Sequence, residues 1–128
     1  MIKLLNILKE DKILVPKRIE DRGKNFIGAI QKQIQQYIKD GSKGNLNLSK
    51  TPITSIPDNL KFVGGNLDLY NTKITKLPND LKVNGYLDLE DTPITSLPDN
   101  LNIGGRLNLY NTLITSLPND LKVGGYLN

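Results

Sequence analysis

The side chains in this chain that could do chemistry are carboxylates and tyrosines, because two common reagents are missing. Cysteine and histidine are both absent. That removes disulfides, thiol nucleophiles, the usual zinc sites and imidazole general bases together. Serines remain but have no histidine to activate them, which leaves a lysine as the one conceivable base. Asp68, Asp88, Glu90 and Asp91 gather acid groups that a cation could use or that could pair as acid and base. Paired acid–base work needs a cleft that drives two pKa values apart. A calcium site needs a glycine-turned loop. Neither accompanies these residues, so the chain reads as non-enzymatic, with no metal or cofactor. Tyr70, Tyr86, Tyr110 and Tyr126 are four of its five tyrosines. With Arg106 they are the kind of side chain that interfaces favour.

The elements that must position these residues are set by an internal repeat. From Gly44 onward one phrase recurs, typified by Gly85-Tyr86-Leu87-Asp88-Leu89-Glu90-Asp91-Thr92-Pro93-Ile94-Thr95-Ser96-Leu97-Pro98. Leu46, Leu67, Leu87, Leu107 and Leu127 are spaced by 21, 20, 20 and 20 residues. The extra residue lies in the Lys61–Gly64 stretch, since each leucine-to-proline distance (46 to 57, 67 to 78, 87 to 98, 107 to 118) is the same. A fixed period near 20 signals a solenoid. Within a unit, Leu87-Asp88-Leu89 alternates with period two and reads as a short strand. Pro98-Asp99-Asn100 is turn chemistry, and Gly104-Gly105 permits a tight return. The return segment shows no helical period, so extended or 3₁₀ pieces are expected there. Leu87, Leu89, Ile94, Leu97, Leu101 and Ile103 form the inward set of one unit. A single unit cannot bury that set alone, so neighbours must stack with their strands in a parallel ladder.

The phrase Leu-x-Leu-x-x-Thr-x-Ile-Thr-x-Leu-Pro resembles the leucine-rich-repeat family, in its short bacterial and bacteriophage form. The resemblance covers residues 44–128, four repeats and a partial fifth. It implies an α+β fold: an N-terminal helical segment followed by a short right-handed solenoid with one curved parallel β-sheet. The family usually places asparagine where this chain has Thr51, Thr72, Thr92 and Thr112. There it satisfies backbone groups between turns, a task that threonine, helped by a second column at Thr54, Thr75, Thr95 and Thr115, would meet with fewer bonds.

Residues 1–43 form a separate segment. Positions 2–10 suggest a short helix, Ile13-Leu14-Val15 before Pro16 an extended piece, and residues 17–40 a longer helix. Its stripe is Ile19, Phe26, Ile27, Ile30, Ile34, Tyr37 and Ile38, with Gly41 at the C-cap. The stripe is expected to seal the first repeat, or alternatively to dock a partner. Residues 1–43 hold ten Lys/Arg and five Asp/Glu, against seven and eight in residues 44–128, so the net charge of +4 divides as +5 and −1. Lys17, Arg18, Arg22, Lys24 and Lys32 could meet phosphate. However, Glu20 and Asp21 are mixed among them and no aromatic residues interleave, so nucleic acid is not the expected partner. No apolar run is long enough to span a bilayer, and no signal peptide is read. A cytoplasmic or virion-associated setting is expected.

In the leucine-rich-repeat arrangement the residues alternating with the buried leucines line a concave face. Asp68, Tyr70, Tyr86, Asp88, Glu90, Arg106, Tyr110 and Tyr126 lie there and are the expected protein-binding site. Tyrosine's liking for strands and ladder stacking between neighbours would explain the same columns without a partner. The reading is a non-enzymatic binding or scaffold module with a protein partner. The alternative is a structural component of a larger assembly such as a phage virion. In that case residues 1–43 would anchor it, with end-to-end self-association through the strand begun at Tyr126-Leu127-Asn128.

Overall fold

The computed structural model describes residues 19–128, with side chains in the helix described from residue 26 onward. The expected helix at 2–10, the extended piece at 13–15, and Lys17 and Arg18 lie outside the described residues.

Helix α1 spans Ile19–Lys39. Its stripe buries Ile30 and Ile34 in the core, and Tyr37 and Ile38 pack against the core's edge, whereas Phe26 is exposed. The helix ends because Gly41 takes φ +98°, a conformation costly for residues with a Cβ. The N–H of Ser42 then donates to the Tyr37 carbonyl at 2.9 Å and that of Gly41 to Ile38 at 3.0 Å. These two bonds are a Schellman closure. Beyond it, the helix is fastened to the first rung. The Gln35 and Asn59 amides exchange reciprocal hydrogen bonds of 3.2 and 3.1 Å. The Tyr37 hydroxyl donates to the Gly44 carbonyl at 2.8 Å and accepts from the Gly64 N–H at 3.2 Å.

Each repeat is one rung bearing two strands. The first are β1 (Leu46–Asn47), β3 (Leu67–Asp68), β5 (Leu87–Asp88) and β7 (Leu107–Asn108). The second are β2 (Phe62–Val63), β4 (Lys82–Val83), β6 (Asn102–Ile103) and β8 (Lys122–Val123). They assemble into two separate four-stranded parallel sheets, ordered β1-β3-β5-β7 and β2-β4-β6-β8. A bridge from Leu107 to Leu127 begins a fifth rung in the first sheet.

This arrangement corrects the leucine-rich-repeat reading and the one curved sheet that it implied. The protein is an α+β solenoid with an N-terminal helix and two parallel sheets. The physical reason lies in the return segment. Val63, Val83 and Ile103 are buried there, while Phe62 and Lys82 point outward. Inward and outward residues thus alternate on this side too, and β-branched residues suit a pleated, half-buried surface. The second ladder is closed by backbone bonds from Asn84 to Val63, Gly104 to Val83 and Gly124 to Ile103, at 2.9, 2.7 and 2.8 Å. Rungs on both sides therefore rise by the same strand spacing, about 4.8 Å. Neither side is forced to be longer, so the first sheet presents a flank rather than the concavity of a horseshoe.

Register locates the extra residue of the first repeat. Leu46 pairs with Leu67, an offset of 21, whereas Phe62 pairs with Lys82, an offset of 20. The surplus is absorbed between the two strands of that rung. The core is one continuous column of leucine, isoleucine and valine from Ile30 through Leu107, including all six inward residues of the third repeat. Leu113 and Leu117 on the fourth rung and Leu127 on the begun fifth are exposed.

Candidate functional site: the flank of the first sheet

Outward residues of the first sheet stand in four columns, and each column has its own backbone cause. The column at Asn47, Asp68, Asp88 and Asn108 ends the strands. Each side-chain Oδ1 accepts the N–H two residues on, from Ser49, Tyr70, Glu90 and Tyr110, at 2.9, 3.0, 2.9 and 3.0 Å. These are Asx turns. Asp68 and Asp88 are thus brought onto the flank, but with an acceptor atom already used to turn the chain.

The turn continues through Lys50, Asn71, Asp91 and Asn111, whose φ values are 60°, 56°, 60° and 58°. Asparagine and aspartate tolerate this left-handed conformation better than most residues, and Asn111 also donates to the Asp91 carboxylate at 2.7 Å. One residue further, the hydroxyls of Thr51, Thr72, Thr92 and Thr112 each donate to the carbonyl three residues back, at 2.7–2.9 Å. The threonines therefore close their own turn and do not bridge to the next one. The second threonine column is exposed.

The remaining two columns carry the tyrosines. At the strand ends Ser49, Tyr70, Glu90 and Tyr110 follow one another, with the Lys50 ammonium 6.0 Å from the centre of the Tyr70 ring. At the strand starts the column is Asn45, Asn66, Tyr86, Arg106 and Tyr126. Its first half is an amide ladder: Asn45 Oδ1 accepts the Asn66 N–H at 2.8 Å and Asn66 Oδ1 accepts that of Tyr86 at 2.9 Å. Its second half is aromatic and cationic, with the Arg106 guanidinium 5.4 Å from the Tyr86 ring centre. Asn66, Gly85, Tyr86, Gly105, Arg106, Gly125 and Tyr126 line a shallow trough of about 490 Å³.

Glycine makes the floor of that trough. The N–H groups of Gly85, Gly105 and Gly125 donate to the glycine carbonyl one rung below at 2.8, 2.9 and 2.8 Å. A Cβ on Gly105 would lie 3.0 Å from the Gly85 carbonyl carbon, so backbone stacks directly on backbone.

The sequence reading missed a two-rung period. Pro57-Asp58-Asn59 and Pro98-Asp99-Asn100 alternate with Pro78-Asn79-Asp80 and Pro118-Asn119-Asp120. Asn100 exploits this by donating its amide to Asp80 at 2.8 Å and its N–H to Asp120 at 3.0 Å. The tyrosines follow the same period: Tyr70 and Tyr110 flank Glu90, and Tyr86 and Tyr126 flank Arg106. The repeats were readable as pairs, but the period of 20 residues overshadows the doubling.

Among the described residues no group of three or more Asp or Glu is placed to hold a metal ion. No helix among them is long and apolar enough to cross a membrane. Comparison of the chain with protein-family models, curated proteins and solved structures finds no match.

Proposed function

We propose that this chain is a non-enzymatic binding module that holds a protein partner against the flank of its first sheet. The observation that carries this reading is the pair of tyrosine columns. Four large aromatic side chains stand on a short, rigid ladder, and Tyr110 and Tyr126 are 67% and 78% exposed. Tyr37 spends its hydroxyl within the fold, whereas the flank tyrosines bond only through their backbone among the described residues. Tyrosine offers large contact area at low entropy cost, and such side chains on a preformed sheet lose little freedom on binding.

A pull-down from the native source tests this by comparing the wild type with a Tyr70→Ala, Arg106→Ala, Tyr110→Ala variant of unchanged circular dichroism. A partner retained by the wild type and lost by the variant is the expected result. Equal recovery by both would move the function away from this flank.

A further inference from the structure

We infer that the trough between Tyr86 and Tyr126 receives a proline-rich segment in the polyproline II conformation, with one acidic side chain over Arg106. This inference rests on the proposed use of the flank and names the chemistry of the partner there.

Spacing is the first ground. Tyr86 and Tyr126 occupy the third and fifth rungs, so they stand about 9.6 Å apart along the stack. A ligand lying along the trough matches both only if its own repeat is close to that distance. Polyproline II has three residues per turn and rises about 3.1 Å per residue, giving about 9.3 Å. Same-face residues of a β-strand recur at about 6.6 Å. Two turns of α-helix cover about 10.8 Å. The polyproline turn comes nearest.

The glycine floor is the second ground. Gly85, Gly105 and Gly125 have already committed their N–H groups to the rung below. The floor therefore offers no free ladder of donors to a strand laid on it. A polyproline helix makes no such demand, because its backbone has no internal hydrogen bonds and remains solvated. One ring can lie on the exposed Tyr126 face and another against the Arg106–Tyr86 stack, and the tyrosine hydroxyls can donate to its exposed carbonyls.

Charge is the third ground. Arg106 is exposed and stacked toward Tyr86, which leaves the guanidinium edge able to take a carboxylate in a bidentate pair. Asp68, Asp88, Glu90 and Asp91 stand on the same flank. A single acidic side chain over Arg106 is complementary, whereas a polyanion such as nucleic acid meets repulsion from the other columns.

The test uses the full chain and a blocked nonapeptide of four prolines, one glutamate and four prolines, titrated while the amide resonances are followed by NMR. The expected shifts map to Gly85, Gly105, Gly125 and their neighbours. Arg106→Ala and Arg106→Gln, both with a folded spectrum, should weaken binding by about tenfold. A peptide with lysine replacing glutamate, and one with glycine replacing every proline, should bind more weakly than the parent. Equal binding by either control, or unchanged binding by the Arg106 variants, overturns the inference. So does the absence of binding to the wild type. If that absence is accompanied by a native partner lost from the triple variant, the polyproline ligand fails while the flank remains the working surface. If the partner is retained by the triple variant, both fail.

Discussion

Tyr37 shows how one hydroxyl can hold two elements together. It ties the last turn of α1 to Gly44 and Gly64, at the junction of the helix with the first rung. Burial raises its pKa above the ordinary 10.0, and the hydrogen bond from the Gly64 backbone offsets part of that rise. With a raised folded value, the unfolded chain releases its proton first as pH increases. The contribution of Tyr37 is therefore complete below pH 10 and is lost as pH climbs through 10 toward the folded value. Tyr37→Phe should cost about 0.5–1.5 kcal/mol at neutral pH, the net worth of a hydrogen bond. Gly64 keeps a second acceptor in the Ser42 carbonyl at 2.9 Å, so Gly44 is the group left without its partner. Urea unfolding of wild type and variant at pH 8 and pH 11 checks both points, because the gap should narrow at the higher pH. At this scale the sequence was only partly legible. Tyr37 read simply as one residue of an apolar stripe, because nothing in helical spacing shows where a hydroxyl will end. Asp68 and Asp88 read as candidate binding carboxylates, and their residue type alone did not show that one oxygen of each also closes an Asx turn.

At the scale of the element, the first strands and the core were readable because Leu-x-Leu alternates where one face is buried. The second sheet was legible only as extended pieces. Leu81-Lys82-Val83 and Leu101-Asn102-Ile103 alternate as the first strands do, but nothing within one unit shows that such pieces pair into a ladder. What makes them strands is the identical segment one rung away, a relation between repeats rather than within one. The glycine column beside the first sheet is likewise legible as turn chemistry, although its tightest constraint is steric. Gly105 lies against the Gly85 backbone, with 3.0 Å available to a Cβ. Gly105→Ala should therefore push two rungs apart and destabilise the protein by about 1–3 kcal/mol, as overpacking does elsewhere. Leu87 and Leu117 give the scale for comparison. Leu87→Ala empties a fully buried site and should cost about 2–5 kcal/mol. Leu117 is 44% exposed, so the same truncation should cost clearly less. Thermal unfolding of the three variants ranks them, and a Gly105→Ala protein as stable as wild type would show that the rungs can separate freely.

For the whole molecule, the repeat was legible as a period of 20 residues, but its family resemblance misled. Leucines and Leu-Pro pairs report only that rungs stack, whereas one sheet or two depends on what the return segment does. The two-rung alternation of Asp and Asn also belongs to this scale, because it governs how rungs can be added. Stability in a stacked array is a sum of unit and neighbour terms. An Asn between two Asp residues supplies a favourable neighbour term, as Asn100 does between Asp80 and Asp120. Duplicating residues 65–104 in tandem adds two rungs and preserves that order at each junction. Duplicating residues 65–84 alone sets Asp80 beside its own copy with no asparagine between them. Like charges stacked one rung apart in this turn repel, and the lost asparagine bonds add to that cost. The two-rung insertion should therefore raise the melting temperature by more than twice the gain of the single rung. Replacing one copy of that aspartate with asparagine should recover the deficit, as should added salt in part. A single-rung insertion that gains half as much as the double one, with no response to the substitution, would show that the alternation has no energetic role and that the rung alone is the unit of assembly.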